Sequence, residues 1–202
     1  MKIKGLLITG ILLLILGVGI TAVAATQINF EEEFYGFFSD PTLEEKHQTF
    51  GAIQKITYDG SDENLEIVYS TEENNFTYYE GDYLTYDIQY DEEAKELHII
   101  QNHSFSFIHF SFGFANKKAV LAINSELEEL LVDTGAGNIG LKGLTVKTTK
   151  LDVSASNLKL ENMTIQTLDI LSSAGNVNLH HVTAETAKFD LKAGNLKIEE
   201  SN

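Results

Sequence analysis

The sequence predicts an all-β protein built as a single-stranded parallel β-solenoid, and three observations support this fold class. Four nearly identical phrases recur every 19 residues, apolar and polar residues alternate with a period of two, and β-branched residues are frequent in the repeats. A fixed interval in this range is typical of proteins whose units bury their apolar faces only by stacking on one another. A strand-rich N-terminal cap, preceded by one transmembrane or signal helix, is expected before the solenoid.

The first element is the uncharged apolar segment of residues 5–25, which follows Lys2 and Lys4. At about 1.5 Å per residue, a helix of that length just spans a hydrocarbon core of about 30 Å. Because positive residues stay on the cytoplasmic side, the rest of the chain is expected outside the cell. Residues 1–25 are therefore predicted to anchor the protein in the cell membrane, on its extracytoplasmic face. The alternative is a signal peptide cleaved near Ala24, which would release a secreted protein.

Two acidic segments follow the anchor. Residues 26–50 mix acidic and aromatic side chains and are predicted to be a juxtamembrane spacer, although a partner-docking segment or a piece of core has the same composition. Residues 51–129 predict a strand-rich module, an antiparallel meander with turns such as Asp59-Gly60, whose aromatic residues cap one solenoid end. Its predicted strands are 53–58, 65–69, 76–79, 83–90, 97–101, 105–114 and 119–123.

Charge is divided unevenly along the chain. Residues 26–129 hold 22 acidic side chains and 5 lysines, whereas residues 130–202 hold 8 acidic side chains and 7 lysines, so a boundary is predicted near residue 129. An acidic field of this strength disfavours nucleic acid and anionic lipid, and it favours cations, cationic peptides or simple solubility. The chain has no Cys, Trp or Arg, which excludes disulfide bonds, thiolate chemistry and guanidinium recognition.

Residues 130–202 are predicted to be a β-solenoid of 19-residue repeats, each with two or three short strands joined by tight corners. At one corner glycine supplies a positive φ, asparagine tolerates it next best, and the preceding alanine is expected to face inward. Stacked about 4.8 Å apart, the asparagines would form a hydrogen-bonded ladder. The predicted corner residues are Gly137, Asn138, Asn157, Gly175, Asn176, Gly194 and Asn195.

Two departures from the repeat carry expectations of their own. Ser156 replaces the corner glycine in the second copy, so that corner is expected to be the most strained or the least regular. The fourth copy has no polar capping unit after it, and an uncovered strand edge predicts self-association.

Columns of polar residues in the repeats are candidates for binding or catalysis. Asp133, Asp152 and Asp190 share a column suited to cation binding or to acid and base catalysis on polysaccharide, but Leu171 interrupts it. Two threonine columns fit the binding of ice or sugars, or stabilisation of the sheet itself. They contain Thr145, Thr164 and Thr183, and Thr148, Thr167 and Thr186.

Metal and cofactor sites are not predicted. His98, His103 and His109 show no ligand partner at metal spacing, and the neighbours His180 and His181 should face opposite sides of a strand, which excludes joint chelation. Residues 135–140 match the GxGxxG pattern, yet strand-like residues follow them instead of the helix that a dinucleotide requires. The sequence therefore predicts no catalytic residue, no metal and no cofactor.

Two phrases carry a resemblance to a known family. Residues 127–138 read Leu-Glu-Glu-Leu-Leu-Val-Asp-Thr-Gly-Ala-Gly-Asn, and residues 168–179 read Leu-Asp-Ile-Leu-Ser-Ser-Ala-Gly-Asn-Val-Asn-Leu. With the anchor and the acidic segment before them, they make residues 50–202 resemble the bacterial β-strand-repeat "putative adhesin" family, a domain of unknown function. The resemblance implies a right-handed β-solenoid exposed on a Gram-positive envelope, without established enzymatic activity and with a link to envelope stress in some members.

The expected function is that of a non-enzymatic, adhesin-like cell-surface scaffold that contacts an envelope protein, a wall component or a cationic peptide. A carbohydrate-active β-solenoid enzyme is one alternative, and it requires a cleft with at least two facing carboxylates. A membrane-anchored stress-sensing regulator is the other, and it requires the anchor of residues 1–25 for function.

Overall fold

The computed structural model describes residues 43–81, 84–103 and 117–202, apart from the side chains of residues 62 and 63. Within these ranges the chain forms strands and no helix, which confirms the predicted all-β class. The strands are β1 (Glu44–Phe50), β2 (Lys55–Tyr69), β3 (Asn74–Glu80), β4 (Leu84–Asp91), β5 (Glu96–His103), β6 (Lys118–Ile123), β7 (Leu127–Lys142), β8 (Thr145–Ala174), β9 (Asn176–Leu191) and β10 (Asn195–Glu199). They make one open sheet in the order β1-β3-β6-β2-β7-β8-β9-β10, with β5 paired to both β2 and β4.

Several predicted elements of the N-terminal part lie outside the described residues. These are the anchor or signal peptide of residues 1–25, the first part of the spacer, and the strand at 105–114. No helix in the described part of the chain is long and apolar enough to cross a membrane. The end of the predicted spacer, residues 26–50, forms β1, and Phe50 is buried in the core.

The repeats stack as parallel strands in register. Val132 pairs with Leu151 between β7 and β8, and Ile170 pairs with Phe189 between β8 and β9. At the C-terminal end of the stack, β10 continues it by pairing in parallel with β9. At the N-terminal end, β2 pairs in parallel with β7 along most of its length. The parallel stack therefore extends past residue 130 into the predicted module of residues 51–129.

Period-two alternation places the core of the stack. Ile139, Leu158 and Val177, which directly follow the asparagines, are each at most 2% exposed, while the polar side chains between such apolar residues face solvent. Burial of side chains of this size contributes about 1.5–3 kcal/mol each. The buried residues form one apolar cluster that runs from Phe50 to Val182.

The predicted antiparallel meander is only partly correct. β1 pairs with β3, β3 with β6, and β4 with β5 in antiparallel fashion, but β5 and β6 both pair in parallel with β2. The predicted turn at Asp59-Gly60 is wrong, because both residues lie inside β2 and pair with β7. A Gly beside an acidic residue is a common turn signal, but here the backbone takes its hydrogen bonds from parallel neighbours instead.

Aromatic side chains fill the core beneath β1, β3 and β4. Phe76 and Tyr78 stack with ring centroids 4.8 Å apart, and Tyr86 meets both rings edge-on at 5.6 and 4.9 Å. Phe50 and Tyr90 form another edge-on pair at 5.5 Å. Such pairs contribute about 0.5–1.5 kcal/mol beyond simple burial. They belong to the same cluster as the repeat columns, so the aromatic residues do pack against the stack.

Candidate binding surface along the asparagine ladder

The corner asparagines form a continuous ladder of side-chain amides. Each donates a hydrogen bond from its Nδ2 to the Oδ1 of the asparagine in the preceding coil, with lengths between 2.6 and 3.2 Å. The sequence aligns four of them, and the structure adds a fifth, Asn64 of β2. The ladder consists of Asn64, Asn138, Asn157, Asn176 and Asn195.

Stacking dictates the glycine before the asparagine. Gly175 has a φ of +123°, and a Cβ placed there would collide with the carbonyl oxygen of Ser156 in the preceding coil. Both facts exclude larger residues. The expectation that the preceding alanine faces inward is wrong, since Ala155 and Ala174 are exposed. In the second copy the buried corner residue is instead Ser156, one position after that alanine.

Ser156 shows how the second corner copes without glycine. It is absent from the residues of positive φ, and its side chain is 1% exposed, with its Oγ 3.3 Å from Thr134 Oγ1. The corner therefore departs from the left-handed conformation of the glycine corners, and it is irregular rather than strained. The asparagine ladder nevertheless passes through Asn157 without a break.

A groove of about 540 Å³ runs beside the ladder and crosses the strands. Its walls include Asn64, Asn138, Asn157 and Asn178, together with Glu66, Lys117, Lys118 and Lys159. Lys118 pairs with Glu66 and Lys159 pairs with Glu161, so three lysines face two carboxylates and the groove keeps a small positive excess in a chain whose formal net charge is −16. Amide groups and point cations in such a groove are suited to hydroxyl and anionic groups of a ligand.

Nearby groups hold the groove lysines in place. Lys118 is paired with Glu66, Lys117 lies 4.5 Å from the centroid of the Tyr79 ring, and Lys159 Nζ lies 2.8 Å from Glu161 Oε1. The hydrogen bond from Lys159 is the main reason that the pKa of Glu161 lies below its ordinary value. All three lysines remain exposed, so they are oriented by these contacts and still accessible to a ligand.

The first threonine column lines a second groove of about 440 Å³. Thr145, Thr164 and Thr183 are exposed there, with Glu126, Glu128 and Glu185 among the other wall residues. Thr148, Thr167 and Thr186 of the second column are exposed as well. Within it, Thr186 Oγ1 lies 3.4 Å from Thr167 Oγ1, so the column is linked between coils.

The aspartate column is longer than predicted. Asp59 pairs with Asp133, which pairs with Asp152, and Leu171 and Asp190 follow as the next pair. The pKa of Asp133 is raised above its ordinary value, mainly by burial and further by the charges of Asp152 and Asp59. Leu171 interrupts the row as the sequence indicates, so the carboxylates do not continue along the stack.

A second corner column was missed by the sequence reasoning. Gly143, Asn162, His181 and Glu200 follow one another at the repeat interval, and all have a φ between +49° and +72°. Gly143 and Asn162 at this interval were the signal, since both residue types favour the left-handed region. The column also corrects the prediction for the histidines. Because His181 leaves strand geometry, its ring lies beside that of His180, with centroids 4.0 Å apart.

In the first corner column, before the ladder asparagines, Gly137 and Gly194 both have a φ of +117°, close to that of Gly175. His98 and His103 lie in β5 and belong to no group of three potential metal ligands in the described part of the chain. His109 lies outside the described residues. Among the histidines of the described residues, only the pair in β9 forms a group of three potential metal ligands with a carboxylate.

The model of the Toastrack DUF4097 family matches residues 53–202, which is most of the chain. The chain belongs to the Toastrack DUF4097 family. This confirms the resemblance drawn from the repeat phrases, and it covers nearly the same residues. The match also takes in the parallel stack from β2 to β10, so the Toastrack fold includes the coil that precedes residue 130. No curated protein matches the chain.

Solved structures resemble this Toastrack chain at low sequence identity. A "putative cell adhesion protein" from Clostridium sporogenes has 11% identity and a TM-score of 0.46, over 80% of this chain and 100% of that one. A "putative adhesin" from Bacteroides fragilis has 12% identity and a TM-score of 0.30, over 79% and 99%. A "putative lipid binding protein" from Parabacteroides distasonis has 10% identity and a TM-score of 0.30, over 81% and 97%. At these values the likeness carries no argument about activity.

Proposed function

We propose that this Toastrack protein is a non-enzymatic, adhesin-like scaffold of the bacterial cell surface that binds an anionic wall polymer along the asparagine ladder. The observation that carries the proposal is the groove beside the ladder, in which Lys117, Lys118 and Lys159 face solvent next to a row of amides. Lysines supply point charges for phosphate or carboxylate groups, and asparagine amides both donate to and accept from sugar hydroxyls.

The repeated geometry favours a polymer over a small molecule. Successive rungs lie about 4.8 Å apart, so one extended chain can contact several coils at once. Linked contacts raise the overall affinity well above that of any single contact. The groove is open and carries amide and lysine side chains beside Leu65, Ile139 and Leu158, which suits a sugar-containing chain laid along the surface. Of the expected partners, a wall component therefore fits this groove better than a cationic peptide, which its lysines would repel.

Location at the membrane is part of the proposal. The apolar segment of residues 5–25 supports an anchored or secreted protein on the outer side of the membrane, and the Gram-positive envelope is what the family resemblance implies. The right-handed winding implied by the resemblance belongs here too, since parallel strands joined by crossovers wind in that hand in nearly all proteins. Self-association is a further element, because Leu196 and Ile198 of β10 are 39% and 50% exposed.

The test compares wall binding by matched charge variants of the full chain. Co-sedimentation with purified cell wall is measured with and without the wall's anionic polymers, at low and high salt. Lys118→Gln combined with Lys159→Gln should lower the affinity about tenfold, and wild-type binding should weaken as salt screens the charges. The control pair, Lys147→Gln with Lys188→Gln, removes the same charge away from this groove and should bind like the wild type.

Three outcomes contradict the proposal. If the groove variant and the control co-sediment with the wall equally well, Lys118 and Lys159 do not contribute to binding. Equal binding to stripped wall would show that the anionic polymer is not the ligand. Capture of a cationic peptide in place of wall would also contradict the assignment of this groove.

A carbohydrate-active enzyme is the second candidate function, and the threonine groove is the observation that favours it. Glu126, Glu128 and Glu185 line that groove, although Lys147 Nζ lies 3.1 Å from Glu128 Oε1. Release of reducing ends from wall polysaccharide, abolished by Glu185→Gln, would support this alternative. The stress-sensing regulator instead predicts loss of function on deletion of residues 1–25 while the stack stays folded.

A further inference from the structure

We infer that His180, His181 and Glu200 form a binding site for a divalent transition-metal ion of the zinc, nickel and copper class. The site lies at the second corner column, away from the asparagine ladder, and does not depend on the proposed function. It joins two coils, because the histidines belong to β9 and Glu200 follows β10.

The backbone brings the three side chains together. His181 and Glu200 occupy equivalent positions in successive coils and have φ of +53° and +49°. Positive φ at His181 breaks the alternation that would send neighbouring side chains to opposite faces, so both imidazoles lie on one side. Hydrogen bonds between the coils fix this part of the backbone, including Val182 N to Ser201 Oγ at 3.0 Å and Asn202 N to Val182 O at 3.0 Å.

The ligand atoms are close enough for one ion. One nitrogen from each ring and one carboxylate oxygen all lie within 4.8 Å of one another. His181 Nε2 is hydrogen-bonded to Glu200 Oε2, as expected for groups that share a cation or a proton. Zinc bonds of about 2.0–2.1 Å in tetrahedral geometry put ligand atoms roughly 3.3 Å apart. The ligand atoms therefore have to move closer together to bind one ion, and two of the three side chains, His181 and Glu200, are exposed and can rotate.

The donor set selects the metal. Imidazole nitrogen suits zinc, nickel and copper, whereas calcium and magnesium take oxygen ligands almost entirely. Two imidazoles and one carboxylate leave a fourth position for water or for a partner's ligand. Two further carboxylates flank His180, Glu199 in β10 and Glu161 in β8, and each is ion-paired, with Lys197 at 3.0 Å and with Lys159 at 2.8 Å. The charge that faces the ion therefore comes from Glu200 itself.

Metal binding should stabilise the outer coil. All five residues of β10 are exposed, so this coil has little apolar burial of its own. An ion held by Glu200 on one coil and by two histidines on the next adds a direct link between them. Ligands that bind only the folded state stabilise it in proportion to their affinity and concentration.

The test is isothermal titration of the tag-free full chain with zinc chloride and nickel chloride in a non-chelating buffer at neutral pH. We expect one zinc per chain, with an affinity that falls at least tenfold in each of His181→Asn and Glu200→Gln. Asparagine at position 181 keeps the backbone, because Asn162 occupies the same column with a φ of +53°. Zinc should also slow amide exchange of residues 195–201 in the wild type only.

The matched control is His47→Asn, which removes an exposed histidine hydrogen-bonded to Thr77 at the other end of the sheet. Its zinc affinity should stay within twofold of the wild type. Absence of saturable binding would overturn the inference, as would unchanged affinity in both His181→Asn and Glu200→Gln. Circular dichroism of each variant checks that it is folded, so that loss of the site is separated from loss of the fold.

Discussion

The inner coils and the outermost described coil contain the same repeat but differ in burial. Leu160 in β8 lies between Leu141 and Leu179 and is fully buried. Ile198 in β10 occupies the same column, has only Leu179 beside it among the described strands, and is 50% exposed. The burial of a residue at this position of the repeat therefore depends on how many coils flank its own coil. The type of residue alone does not determine how much its side chain contributes to stability.

The opposite side of the stack shows what a covered coil looks like. The first half of β2 pairs with β5 and its second half pairs with β6, each in parallel. Both halves therefore have strand partners on two sides, because β7 lies on the other side. Ile56, Leu65 and Ile67 of β2 are at most 1% exposed as a result. An irregular but well-packed cap thus protects a regular stack at this end.

The largest expected effect tests this difference directly. Leu160→Ala leaves a cavity between two coils and should lower the free energy of unfolding by about 2–5 kcal/mol. Ile198→Ala removes a half-exposed side chain and should cost less than about 1 kcal/mol. Urea denaturation of the two full-length variants measures both values. Equal costs would contradict the view that flanking coils determine the contribution of the column.

A smaller effect is expected at the corner glycines. Gly175→Ala puts a Cβ against the carbonyl of Ser156 at a φ of +123°, and should destabilise the protein by about 1–3 kcal/mol. Gly194→Ala meets the carbonyl of Gly175 in the same way, but the exposed outer coil can shift to relieve the contact. Gly194→Ala should therefore lower the free energy of unfolding by less than half as much as Gly175→Ala does.

Thermal unfolding of both glycine variants gives the comparison. Ala174→Ser, at an exposed position beside the same corner, is the control and should change stability by no more than about 0.5 kcal/mol. A cost at Gly194 as high as that at Gly175 would show that the outer coil is held as rigidly as the inner ones.

The difference between the two regions also explains what the sequence could predict. The fold of the repeats could be predicted because similar residues recur every 19 positions. Each position in the repeat is therefore represented by several residues, which all indicate the same burial. Asn64 has the same apolar neighbours as the other ladder residues, with Tyr58 six residues before it and Leu65 and Ile67 after it. It lies outside the 19-residue period and lacks the Ala-Gly before it, so only the structure places it on the ladder.

The candidate sites were harder to predict than the fold. The groove at the ladder depends on Lys117 and Lys118, which lie outside the repeats and reach the ladder because β6 pairs with β2, where Lys118 is opposite Asn64. The histidine site depends on the positive φ of His181. Reasoning that assumes regular strand alternation sends His180 and His181 to opposite faces, and so it does not predict the site. Contacts between distant segments leave no periodic signal, so the sequence pattern does not reveal the groove. Gly143 and Asn162 at the repeat interval do mark the column of His181, but they do not show that its ring lies beside that of His180.

The smallest expected effect concerns the aspartate row, which is continuous in the inner coils and interrupted at Leu171 further out. Burial and two neighbouring carboxylates raise the pKa of Asp133 in the folded protein above its ordinary value of 3.8. The folded state therefore holds this proton more tightly than the unfolded state, and the charged form of Asp133 lowers stability once the pH rises through the folded-state pKa.

Asp133→Asn should stabilise the protein modestly at pH 7, and this gain in stability should vanish as the pH falls below the ordinary pKa of an aspartate. Urea denaturation across this pH range measures it, with Asp190→Asn, which pairs with Leu171, as the control expected to gain less. A gain that persists at low pH would mean that packing, and not charge, sets the effect of Asp133.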